Sequence, residues 1–127
     1  MANTLPYDPS VQYVAAGATL TSQTLAASGN VSFIADFSSN QLGGWVGIVN
    51  TGGTAVAGTS GLQVQVLAAT DTTNYGTYQG PYVITTVAST ATPYPIGPLP
   101  MGKFKVTLTN LDATNAVTVS GAANPIG

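Results

Sequence analysis

Lys103-Phe104-Lys105-Val106-Thr107-Leu108-Thr109-Asn110 is the stretch that decides the fold. Phe104, Val106 and Leu108 alternate with Lys103, Lys105, Thr107 and Thr109. A period of two puts the apolar set on one side of a pleated strand and the polar set on the other, as in a sheet with one wet face. A helix would need apolar residues at three- and four-residue spacing. The loop Leu111-Asp112-Ala113-Thr114-Asn115 has hairpin length, and Ala116–Ser120 follows as the next strand.

The same rhythm recurs toward the N-terminus. Leu62, Val64, Val66 and Ala68 point one way, with Gln63 and Gln65 opposite. Val31, Phe33, Ala35 and Phe37 share a face, with Ser32, Ile34 and Asp36 on the other. Trp45–Asn50 is a strongly apolar strand whose Trp45 is expected in the core. Thr19–Leu25 is a weaker strand, and Tyr82–Val87 is rich in β-branched residues. Two stretches break the pattern. Asp71–Gly80 reads as a loop carrying Tyr75 and Tyr78. Thr92–Gly102 carries Pro93, Pro95, Pro98 and Pro100, so it is excluded from a central strand and expected in polyproline-like geometry, with Tyr94 in a loop. Gly47-Ile48-Val49-Asn50 and Thr107-Leu108-Thr109-Asn110 echo each other as strand, Asn, turn, a similarity that carries no functional conclusion by itself.

Seven or eight short strands at this spacing predict an all-β antiparallel β-sandwich, Ig-like or jelly-roll, over residues 18–127. Residues 1–17 are expected to form an extended N-terminal arm. Pro6 and Pro9 keep it out of helix, and Leu5, Tyr7, Val11, Tyr13 and Val14 supply apolar anchors. Two readings of it stand: an arm reaching a neighbouring molecule, or the first edge strand of the protein's own sheet.

Composition restricts the chemistry. Of 127 residues only 5% are charged, against about 25% in an ordinary soluble domain. The charged residues are Asp8, Asp36, Asp71, Asp112, Lys103 and Lys105; Glu, Arg, His and Cys do not occur. Thiolate and histidine chemistry are thereby excluded. Two lysines on one strand cannot track a row of phosphates, so nucleic acid is not expected as a partner. Asp8 precedes proline, and Asp71 and Asp112 sit in turns where aspartate caps its own backbone. Asp36 has no second carboxylate beside it in the sequence, and Lys103 and Lys105 read as solvent-facing rungs. Asp71 with Thr72, Thr73 and Asn74 offers one carboxylate, too few for calcium. The expectation is a protein that is not an enzyme, with no cofactor, no metal and no catalytic residue. No apolar run is long enough for a membrane helix, and the N-terminus lacks the basic and apolar regions of a signal peptide. A surface with so little charge repels other surfaces weakly, which suits burial in an assembly.

Gly44–Gly52, Leu62–Val66, and Gly102–Asn110 with Ala116–Val119 resemble the small β-sandwich structural proteins of tailed bacteriophages, the capsid decoration or cement type. The resemblance implies synthesis in the host cytoplasm, a place on the virion, the major capsid protein or another virion protein as partner, and self-association as a homotrimer. It implies cementing at the junctions between capsid subunits, with the terminal arm laced onto the shell. The partner-binding candidates are Leu5, Pro6, Tyr7, Pro9 and Tyr13 in the arm, and Tyr75, Tyr78 and Tyr94 beyond it. The alternative is a carbohydrate- or host-surface-binding module of a fibre or tail, in which exposed aromatics would form a sugar platform. A tail-tube or neck component is a third reading.

Overall fold

The computed structural model describes residues 11–15, 19–52, 61–71, 74–86, 90–112 and 114–126, with the backbone alone described for 11–15, 19–22 and 52. The described strands are β1 (Val11–Ala15), β2 (Thr19–Leu25), β3 (Asn30–Asp36), β4 (Gly44–Gly52), β5 (Leu62–Ala69), β6 (Tyr75–Ile84), β7 (Ala91–Leu99), β8 (Lys103–Asn110) and β9 (Val117–Pro125). They form a five-stranded sheet of order β1-β3-β8-β5-β6 and a four-stranded sheet of order β2-β9-β4-β7. No helix occurs among the described residues.

Pairing is nested. β5 folds back on β6, β4 pairs with β7, β3 with β8 and β2 with β9, all antiparallel. This is one long hairpin rolled up on itself, and the β4–β9 and β5–β8 pairs close the two sheets. The topology of β2–β9 is therefore the jelly roll rather than the Ig arrangement. β1 is an addition, lying parallel to β3. Of the expected arm, residues 11–15 thus run along the protein's own sheet, with Tyr13 in register with Ile34. Leu5, Pro6, Tyr7 and Pro9 lie outside the described residues.

The decisive strand sits at the centre of the larger sheet. β8 joins β3 to β5 and builds three cross-strand rows: Val31–Leu108–Val64, Phe33–Val106–Val66 and Ala35–Phe104–Ala68. In the last row a large ring lies between two alanines, so volume is matched across strands. The inner faces of the opposing strands contribute Leu25, Val46, Ile48, Ile96, Leu99, Val117, Val119 and Ala123 to the same core. Each fully buried side chain of this size contributes roughly 1.5–3 kcal/mol.

Two stretches expected outside the sheets are strands. β6 contains Tyr75 and Tyr78, and β7 contains Tyr94 and three of the prolines. Both are edge strands, where a residue needs hydrogen-bonding partners on one side only. Pro93 and Pro95 stand two apart, so their missing donors fall on the same side of β7 and leave that edge a poor template for a further strand. Trp45 is exposed rather than in the core. Gly44, Val46, Ile48 and Asn50 take the inward positions of β4, which turns Trp45 outward. Its apolar neighbours hide that alternation in the sequence.

One end of the sandwich is closed by Asn110, which is 2% exposed. Its Nδ2 donates to the carbonyls of Leu25 (3.3 Å), Ala26 (3.2 Å) and Asn115 (2.8 Å), and its Oδ1 accepts the Asp112 N–H (3.0 Å). The Asn110 N–H donates to Gly29 O, Ser28 N–H to Asp112 O, and Leu111 N–H to Gly61 O. The β2–β3 and β8–β9 connections, both crossing between sheets, are tied together there. At the other end Phe37 N–H donates to Gly102 O and Ile126 N–H to Gly43 O. There Gly44 packs so closely on the Phe37 ring and the Asn124 carbonyl that a Cβ would overlap both.

Asn110→Ala strands several buried backbone groups and is expected to cost about 3 kcal/mol. Gly44→Ala forces Phe37 aside and is expected to cost about 2 kcal/mol. Urea unfolding would show both as a lower midpoint with unchanged slope.

Candidate functional site

The few charged side chains are segregated. Asp36 lies on β3, Lys103 and Lys105 on β8, Asp71 between β5 and β6, and Asp112 between β8 and β9. The strands of the four-stranded sheet, β2, β4, β7 and β9, carry none. Register defines what that sheet presents outward. Trp45 stands beside Asn124, Gly47 beside Ala122 and Pro95, Val49 beside Ser120 and Pro93, and Thr51 beside Thr118 and Ala91. The face is uncharged, with small residues around Trp45 and Val49, both exposed.

That face runs into an apolar end. Trp45 is 39% exposed, and Leu42 and Met101 are 66% and 54% exposed in the β3–β4 and β7–β8 connections. The two connections touch: Gly43 abuts the backbone of Leu99 and Pro100, and Gly97 lies against the Trp45 ring. The sequence pattern pointed to neither Leu42 nor Met101, because isolated apolar residues in turns carry no period.

The structure does not bring the predicted tyrosines together. Tyr78 is exposed and meets Phe104 edge-on, with ring centroids 5.4 Å apart. Tyr75 lies under the Lys105 ammonium, 5.1 Å from the ring centroid, in cation–π geometry. Burial, then the nearby Asp36 carboxylate, raises its pKa. Its hydroxyl is buried and, among the described residues, has no hydrogen-bond partner. Tyr94 faces Tyr82 across the seam between sheets, with centroids 5.9 Å apart. Burial pushes the Tyr82 hydroxyl up to about 12, with Tyr94 adding to the shift. Tyr13 belongs to β1, and the other arm candidates lie outside the described residues.

Beside that seam, Asn50, Ile84, Thr85, Thr92, Pro93 and Tyr94 line a cleft of about 350 Å³. Asn50 is fully buried. It occupies an inward position of an apolar strand, and that position was the available signal for it.

The carboxylates are engaged in turns and pairs. Asp71 accepts the Asn74 N–H (2.8 Å) and the Asn74 side-chain amide. Asp36 accepts the N–H and hydroxyl of Ser38. Lys103, expected to face solvent, is only 7% exposed. It stands opposite Asp36 in register, and its Nζ bends to within 4.0 Å of Asp36 Oδ2. Asp112 accepts the Thr114 N–H (2.8 Å), the Asn115 N–H (2.9 Å) and the Asn115 side-chain amide. Those bonds, led by the Thr114 N–H, lower its pKa to about 2. Among the described residues no three acidic groups gather as a metal site would require.

No family model matches the chain, and no curated protein matches it. Similar solved structures include the pre-peptidase C-terminal domain of a collagenase from Bacillus anthracis, with a TM-score of 0.46, 11% identity and coverage of 87% of this chain and 91% of that one. The Yersinia pseudotuberculosis-derived mitogen has a TM-score of 0.47 and 12% identity, covering 87% of each chain. A family 16 carbohydrate-binding module has a TM-score of 0.44 and 15% identity, covering 81% of this chain and 72% of that one.

Acid unfolding tests the Asp112 turn. Its pKa is lower folded than unfolded, so between the two values the unfolded chain binds more protons. The stabilisation is complete above the ordinary aspartate value of about 4 and is lost as pH falls toward about 2. Asp112→Asn is expected to flatten the decline of stability across that window, read as urea midpoints from pH 5 down to 2.

Proposed function

We propose that this protein is a non-catalytic adhesive module that decorates a bacteriophage capsid, docking on shell subunits through the outer face of its four-stranded sheet. The observation that carries this reading is the segregation of charge: that sheet has no Asp or Lys on any of its strands. Docking it on a protein surface strips water from no charged group, so the usual desolvation penalty is absent. Trp45 and Val49 supply apolar area, and Gly47, Ala91 and Ala122 allow close approach.

Cementing follows by mass action. A module that binds the mature shell and not its loosened form stabilises the mature one, and many copies at the subunit junctions multiply the effect. Self-association as a trimer and contacts from residues 1–17 belong to the same reading, as do assembly in the host cytoplasm and residence on the capsid surface. The partner is the major capsid protein or another virion protein.

A carbohydrate- or host-surface-binding module of a fibre or tail is the second reading. Trp45 and Tyr78, both exposed toward the end of the sandwich that holds the β3–β4 connection, favour it.

Co-sedimentation with expanded empty capsids distinguishes the two. Val49→Lys places a charge in the proposed docking face and is expected to weaken capsid binding by at least about tenfold. Thr107→Lys, on the opposite sheet, is expected to leave binding unchanged. Equal binding by both variants would reject the face. A protein that ignores capsids but retains glycan would establish the second reading.

A further inference from the structure

Asn110 ends β8 and Asn50 lies two residues before the end of β4, both strands interior to their sheets, and both asparagines are buried. Asn110 uses every polar atom of its amide. Asn50 does not. Its Nδ2 donates to the Thr92 carbonyl at 3.3 Å, which fixes the orientation of the amide, because the opposite flip would set two oxygens against each other. Among the described residues Asn50 Oδ1 then has no hydrogen-bond partner, although Asn50 is fully buried. A buried carbonyl oxygen without a donor is destabilising, and native proteins retain few of them.

Asn50 is one of the residues around the cleft formed with Ile84, Thr85, Thr92, Pro93 and Tyr94. We propose that the cleft binds a small neutral molecule with an apolar body and one hydroxyl or N–H group, which donates to Asn50 Oδ1. Ile84, Pro93 and Tyr94 cover the apolar body. Among the described residues no charged side chain lines the cleft, so an ion would be desolvated without compensation. A sugar would leave most of its hydroxyls against apolar walls, which argues for a ligand with a single donor. The volume of about 350 Å³ is ample for one aromatic ring, since an engineered cavity of about 150 Å³ holds benzene. The site borders the proposed docking face, with Pro93 common to both, but the groups that define it differ: Asn50 points inward on β4, and its neighbour Val49 points outward.

Amide NMR titration of the full chain with phenol, benzene and glucose tests the assignment. Phenol is expected to bind saturably, with shifts centred on Ile84, Thr85, Thr92, Tyr94 and the Asn50 side-chain amide. It should bind about tenfold more tightly than benzene, the difference being the donor. Asn50→Leu should reduce phenol to the affinity of benzene. Equal affinity of phenol and benzene for the unaltered protein would overturn the proposal, as would shifts centred elsewhere or tighter binding of glucose than of phenol. These comparisons on the unaltered chain decide the matter even if Asn50→Leu does not fold. Capsid binding is a separate readout and does not enter this test.

Discussion

A single side-chain amide, that of Asn110, holds the rolled hairpin closed. The nested pairs β5–β6, β4–β7, β3–β8 and β2–β9 bring distant segments together, and the outermost pairs have the longest loops to close. Bringing residues 25 and 26 to residue 110 costs loop entropy that local contacts do not offset. Asn110 meets both crossings between the sheets at one point, binding the β2–β3 connection from one side and the β8–β9 connection from the other. Asp112 then fixes the second connection through Thr114 and Asn115. A hydroxyl or an apolar side chain at residue 110 could not serve these acceptors and the Asp112 N–H together.

Scarcity of charge shapes the rest. Among the described residues, Asp36, Lys103, Asp71 and Asp112 are placed where the chain can satisfy them locally or in register. Asp36 and Lys103 face one another across β3 and β8, and Asp71 and Asp112 cap turns. The consequence is a sandwich with unlike faces: one sheet carries the lysines, and the other carries hydroxyls, prolines, small residues and Trp45. That asymmetry is what the proposed docking face rests on. The seam beside Tyr82 and Tyr94 supplies a distinct, concave environment.

The echo between Gly47–Asn50 and Thr107–Asn110 takes on physical meaning in this fold. Both are interior strands that carry a buried, inward asparagine at or near their C-terminal end. At one, the neighbouring connections curl over the amide and saturate it. At the other, β6 and β7 leave a cleft beside it. Identical chemistry thus yields a structural clasp in one place and an unsatisfied acceptor in the other, because the surrounding backbone differs.

The all-β class, the inward set Val31, Phe33, Val64, Val66, Phe104, Val106 and Leu108, and the capping of Asp71 and Asp112 follow from the sequence by itself. Alternation and turn chemistry are short-range, written within a few residues. The tertiary structure alone decided that the sandwich is a jelly roll, that Tyr75–Ile84 and Ala91–Leu99 are edge strands, that Trp45 is outside, and that Lys103 is buried against Asp36. It also decided which asparagine is satisfied. Those outcomes depend on which strands meet across the fold, and strand pairing is set by the summed burial of both sheets, a quantity that no local window contains.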